Sequence, residues 1–186
     1  MISWWMRRRI QAFENEYDYD MSYVRQLLDV SPKAAMLYAK ATQLGTFRQG
    51  VPADVYCVAQ LVAVMREDCG PCVQLGVKLA RKAGVSAKTL RAVVTGDFEG
   101  LSKECALAAR FAVSVLQHDP EADTFREELK RHYGNLGVVS LACAVTVARI
   151  YPTMKYALGH GKACTRVVVD GEAVVARPAQ PAVVLA

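Results

Sequence analysis

Residues 136–151 give a helix no polar face to turn toward water. The run is built from Leu, Gly, Val, Ala, Cys and Ile, and its interruptions include Ser140 and Thr146. A helix that is apolar nearly all round must be covered by other surfaces, so it belongs at the centre of a bundle or at an interface between chains. It is also shorter than the ~20 residues that a bilayer span requires, and no membrane span is expected.

The surrounding sequence supplies the other helices and their stops. Ser31-Pro32 is an N-cap followed by proline, opening a helix over residues 33–44 that Gly45 ends. Pro52-Ala53-Asp54 opens another, reaching about Arg66. Residues 69–83 form a third, closed by Gly84, and residues 87–94 a short fourth between Ser86 and Gly96. Ser102 starts a helix to about Gln117, and His118-Asp119-Pro120 breaks it. Residues 124–133 are amphipathic, with Phe125, Leu129 and Tyr133 on one face. Gly134-Asn135 turns the chain into the apolar run, and Pro152 kinks or restarts the helix beyond it. Residues 166–175 instead predict a β-hairpin around Asp170-Gly171. A lone hairpin is marginal, so this one must pack on the helices or on a neighbouring chain. The fold class expected is all-α with a C-terminal hairpin appendage. Its divisions are a helical extension over residues 1–21, a helical domain over 22–163, and a hairpin and tail over 164–186.

Composition excludes several classes of partner. The net charge is +5, but the basic residues are dispersed apart from Arg7-Arg8-Arg9, and an acidic stretch follows them. Aromatic and basic residues are not interleaved, so nucleic-acid binding is not expected. Trp4 and Trp5 beside the arginines suggest a helix docked on the body or on another subunit, in preference to a membrane surface. Charge follows a short apolar patch at the N-terminus, the reverse of a secretion signal, so a cytoplasmic location is expected. The hydrophobic fraction, 53%, is slightly above the usual value for soluble domains and favours oligomerisation.

The chemistry concentrates at Cys69-Gly70-Pro71-Cys72, at the start of the third helix. Two thiols at this spacing can close and reopen a disulfide with little chain movement. With Cys69 near the N-cap, the free N–H groups of the first turn and the helix dipole favour thiolate, and Cys69 is expected to be the more exposed thiol. Glu67 and Asp68 oppose a further negative charge, yet a partly buried carboxylate there can take a proton, which makes Glu67 a candidate. Structural zinc needs four ligands, and this sequence has no second Cys-x-x-Cys and only three dispersed histidines, so no metal is expected. No flavin, haem or nucleotide motif implies a cofactor. Thioredoxin uses the same motif, but between a strand and a helix. Cys57, Cys105, Cys143 and Cys164 occur singly, and Cys105 and Cys143 are expected as small buried side chains.

One family combines this motif with a helical context. The helix from Pro52, Asp68-Cys69-Gly70-Pro71-Cys72-Val73, the helix to Ala83-Gly84-Val85-Ser86 and the run from Leu101 to Phe111 resemble the carboxymuconolactone decarboxylase/AhpD-like alkylhydroperoxidase superfamily, over most of residues 22–160. The resemblance implies an all-α homo-oligomer, a trimer or hexamer, that reduces a peroxide or disulfide through Cys69 and Cys72 and is restored by an external dithiol. Two positions depart from the family. Gly76 stands where its proton-relay histidine would be, and Cys57 where its glutamate would be. Gly76 either lets two helices approach closely or leaves room for a side chain from elsewhere, and Cys57 is either a core residue or a third thiol near the pair. The expected function is thiol-dependent peroxidase or disulfide oxidoreductase, with Cys69, Cys72 and Glu67 as site residues. The alternative is a non-catalytic helical oligomer with a redox-sensing or vestigial pair.

Overall fold

Helices make up most of the described chain, residues 2–162 and 166–177 of a computed structural model, with side chains from Trp4 onward. In order they are α1 (Ile2–Tyr17), α2 (Ser22–Val30), α3 (Pro32–Thr42), α4 (Ala53–Met65), α5 (Gly70–Lys82), α6 (Ala87–Thr95), α7 (Lys103–Gln117) and α8 (Glu121–Ala157), with one 3-10 turn at Gln43–Thr46. Strands β1 (Arg166–Val169) and β2 (Glu172–Val175) form the hairpin. The all-α class with a hairpin appendage is thus observed. Cys164 and the tail beyond residue 177 lie outside the described residues.

The caps explain the boundaries. Ser31, Ser86 and Ser102 each accept a backbone N–H from the first turn of the helix that follows. Gly134 has φ 65° and ψ −177°, a conformation open to glycine alone, and it divides α8 into two helices where the sequence predicted a turn. Pro152 stays inside α8 and does not end it. Helix α2 had no counterpart in the sequence reading.

The helix buried on every side is α4, which packs against α5, α6, α7 and α8. Ten of its residues are buried, among them Val58, Ala59, Leu61 and Ala63. The apolar stretch of α8 buries one face, with Leu141, Ala144, Val147 and Ala148, and leaves Leu136 and Val139 about half exposed. By length and composition α8 would also pass for a membrane span, but it is broken at Gly134 and packs on α4 and α7. Cys105 is buried as expected, whereas Cys143 on α8 is only half-buried.

Two apolar cores result. The larger surrounds α4. The smaller joins Ile10 of α1, Tyr23, Val24 and Leu28 of α2, and Ala35 and Tyr38 of α3 to Leu75 of α5, with Ile150, Tyr151 and Met154 of α8 packed against it. The N-terminal helix therefore docks on the body through Ile10, Met6 and Phe13. Trp4 and Trp5 stay exposed, stacked against Arg8 and Arg9. The hairpin docks as well: Val167 and Val169 are fully buried, Gln74 makes two hydrogen bonds to the backbone of Val168, and Arg81 pairs with Asp170.

Candidate redox site

The turn from α4 to α5 places the cysteines at the seam of the two cores. Asp68 adopts a positive φ of 50°, reversing the chain, and its carbonyl accepts a hydrogen bond from the Tyr156 hydroxyl at 2.8 Å. Cys69 follows as the N-cap of α5, and its carbonyl accepts the N–H of Val73 at 3.0 Å. Pro71 fits the first turn because a proline there forfeits no hydrogen bond. Cys72 then lies one turn from Cys69, and the two are joined as a disulfide. Both cysteines belong to the larger core, while Leu75, three residues on, belongs to the smaller.

The expectation that Cys69 is the exposed member is corrected. Cys69 is 1% exposed and Cys72 is 4% exposed, so neither sulfur faces open water. The N-cap places Cys69 under the start of α5, where the core of α4 covers it.

Glu67 is near the pair in sequence, but its carboxylate is occupied. Arg149 of α8 donates to it at 2.6 Å. Gly76 resolves in favour of close packing: a Cβ there would stand 2.9 Å from Leu61 Cδ2, so α4 fills the space that a relay histidine would need. Cys57 is buried, and burial pushes its thiol up to about 11; the groups acting on it are Arg48, Asp54 and Cys105.

The group that does reach the pair comes from the N-terminal segment. Tyr19, between α1 and α2, places its hydroxyl 3.7 Å from Cys72 Sγ in a buried contact. Burial first, then the neighbouring Tyr23, holds its phenol far above the ordinary range. Tyr19 therefore remains a proton donor across the accessible pH range. Behind it lies Lys155 of α8, 2% exposed, with its ammonium 4.3 Å from the ring centre of Tyr19 and 5.3 Å from that of Tyr23. Burial lowers the pKa of Lys155; Asp20 opposes the shift and Lys162 adds to it. Tyr38 continues the cluster with its hydroxyl 3.3 Å from that of Tyr23.

The chain matches no family model, no curated protein and no solved structure. The site must therefore be read from its own chemistry.

Sequence reasoning missed Tyr19, Tyr23 and Lys155. Residues 14–20 read as an acidic stretch, which hid Tyr19 and with it the i, i+4 relation to Tyr23 just beyond. Lys155 had a signal of its own, a single charge in the otherwise uncharged stretch from Ile150 to Leu158. Among the described residues no group of three or more His, Cys, Asp or Glu side chains is placed to hold a metal ion. What the arrangement can do is hold a disulfide, a protic phenol on one of its sulfurs, and a buried cation behind the phenol. When the disulfide opens, a thiolate at Cys72 would gain a hydrogen bond from Tyr19, which favours the charged form.

Proposed function

We propose that the protein is a thiol–disulfide oxidoreductase that reduces a peroxide or a disulfide through Cys69 and Cys72. The observation that carries this reading is the Tyr19 hydroxyl on Cys72 Sγ, because a purely structural disulfide needs no protic partner. In the peroxide reaction the Cys72 thiolate attacks the terminal oxygen of the peroxide. The O–O bond breaks, the sulfur becomes a sulfenic acid, and the departing alkoxide takes from solvent the equivalent of the proton that Cys72 released on ionising, leaving as alcohol. Cys69 then condenses with the sulfenic acid, releasing water and forming the disulfide. An external dithiol reduces the pair through a mixed disulfide and is itself oxidised. Tyr19, whose phenol keeps its proton, holds the Cys72 thiolate by a hydrogen bond, and Glu67, held by Arg149, is a supporting residue of the turn.

The same reading includes a reducing, cytoplasmic setting and assembly as a homo-oligomer of trimer or hexamer order. Support for assembly comes from the half-exposed Leu136 and Val139 on α8. A second reading, a non-catalytic or sensing disulfide, draws on the burial of both sulfurs. Mass spectrometry of the peptide covering residues 67–78, after stoichiometric peroxide is added to the reduced protein, separates the two. Rapid disulfide formation, lost in Cys69→Ser and Cys72→Ser, supports the enzyme. Oxidation no faster than that of a free thiol refutes it.

A further inference from the structure

A cleft of about 950 Å³ opens between α1 and the α2–α3 pair. This volume lies within the range of small-molecule sites. Its floor is the smaller core: Tyr19, Tyr23, Tyr38 and Leu75, all buried. Its walls are apolar, from residues such as Ile10 and Phe13. At its exposed rim stand Trp5, Arg9 and Lys40.

The charges of this cleft are one-sided. Arg9 and Lys40 are its charged lining residues, and no Asp or Glu lines it. Three other cations of the region pair within the chain, Arg7 with Asp29, Arg25 with Glu14 and Lys82 with Glu16, while Arg8 stacks on Trp4 away from the cleft lining. Among the described residues neither Arg9 nor Lys40 has a carboxylate partner; Arg9 stacks on Trp5, 4.7 Å from the ring centre. Apolar walls over a floor of buried tyrosines and Leu75, with cations that lack a carboxylate partner at the rim, fit one kind of molecule.

We propose that the cleft binds an amphiphilic monoanion, a long-chain carboxylate, with its chain along α1 and its head group between Arg9 and Lys40. The chain end then rests on Tyr19, whose hydroxyl touches Cys72 on the other side of the wall. No cysteine lines the cleft, although Tyr19 is shared with the dithiol, so binding can be tested apart from the dithiol reading.

The test uses the full oxidised chain, so its result does not depend on any redox activity. A Trp4→Phe variant leaves Trp5 as the sole tryptophan, and dodecanoate is titrated below its micelle concentration while Trp5 fluorescence and heat are followed. The expected result is saturable binding of one molecule per chain, weakened about tenfold in Arg9→Gln/Lys40→Gln and for uncharged dodecanol. Added salt should weaken binding of the carboxylate but not of the alcohol. Ala39→Trp, at an exposed position in the cleft, should abolish binding by filling it. Three outcomes overturn the proposal: no saturable binding, equal affinity for dodecanoate and dodecanol, or a cleft already covered by a second copy, seen as protection of Trp5 from a soluble quencher that is lost on dilution to monomer.

Discussion

Removing the hydroxyl from Tyr19 tests its assignment as the group that stabilises the Cys72 thiolate. Tyr19→Phe keeps the ring that packs in the smaller core and faces Lys155, and deletes the hydroxyl that touches Cys72 Sγ and also hydrogen-bonds Tyr23. A hydrogen bond to a charged acceptor is worth about 1.5–3 kcal/mol. Sulfur is a diffuse acceptor and the separation is 3.7 Å, so the lower end applies. At about 1.4 kcal/mol per unit, the loss should raise the thiol pKa of Cys72 by about one unit and cut the thiolate fraction about tenfold. Water cannot replace the lost donor, because Tyr19 is 5% and Cys72 4% exposed. The same energy makes the disulfide couple more reducing by about 30 mV where Cys72 is ionised. The measurement is the pH dependence of thiolate absorbance in reduced Cys69→Ser protein, with and without Tyr19→Phe. Cys143 and Cys164 are replaced in both, and Cys57 and Cys105, whose thiols burial holds near 11, stay silent at lower pH. A pKa unchanged to within about 0.3 units, in a variant of unchanged circular dichroism, would refute the role given to Tyr19.

A histidine at position 76, Gly76→His, should not gain access to the cysteine pair. It should destabilise the protein by about 1–3 kcal/mol or more, since even a Cβ meets Leu61 at 2.9 Å, and chemical denaturation would measure the loss. Lys155→Met probes the buried cation through pH. Burial lowers the folded-state pKa of Lys155 below 10.5, so the unfolded chain binds more protons between the two values, and the native protein gains stability relative to Lys155→Met as pH rises through that window. Asp20, Lys162, Tyr19 and Tyr23 face the same ammonium and remain in both proteins, so the difference between the two denaturation series isolates Lys155.

The helices were legible because their boundaries are local. Ser31, Ser86 and Ser102 cap as their sequences demand, and Asp170-Gly171 turns the hairpin at positive φ. The identity of the central helix was less legible. Residues 136–151 and α4 are both apolar runs, and periodicity does not separate a helix covered on every side from one whose second face stays bare. The two cysteines were legible as a pair, since three residues fix their separation on a first turn. Their burial was not, because it depends on α4 and on a tyrosine fifty-three residues upstream of Cys72.

That separation has a consequence for how the site is built. A relay carried on the helices that bear the motif would occupy positions such as Gly76 and Cys57. Here the first is closed by Leu61, and the second is a thiol that burial holds up, with Arg48, Asp54 and Cys105 as the lesser influences. The protic group instead arrives with the segment between α1 and α2, and the cation behind it arrives with the end of α8. Tyr19 is thereby tied to the docking of α1: Lys78 donates to the carbonyl of Tyr17, and Lys82 holds Glu16. Cutting those ties with Lys78→Met and Lys82→Gln should loosen α1 and lower the reactivity of Cys72, although neither lysine touches the sulfur. Proteolysis within residues 2–17 of the native double variant, accompanied by a Cys72 pKa shifted toward that of Tyr19→Phe, is the expected result. Release of α1 with an unchanged thiol pKa would mean that Tyr19 holds its place without the N-terminal helix, and the coupling would be wrong.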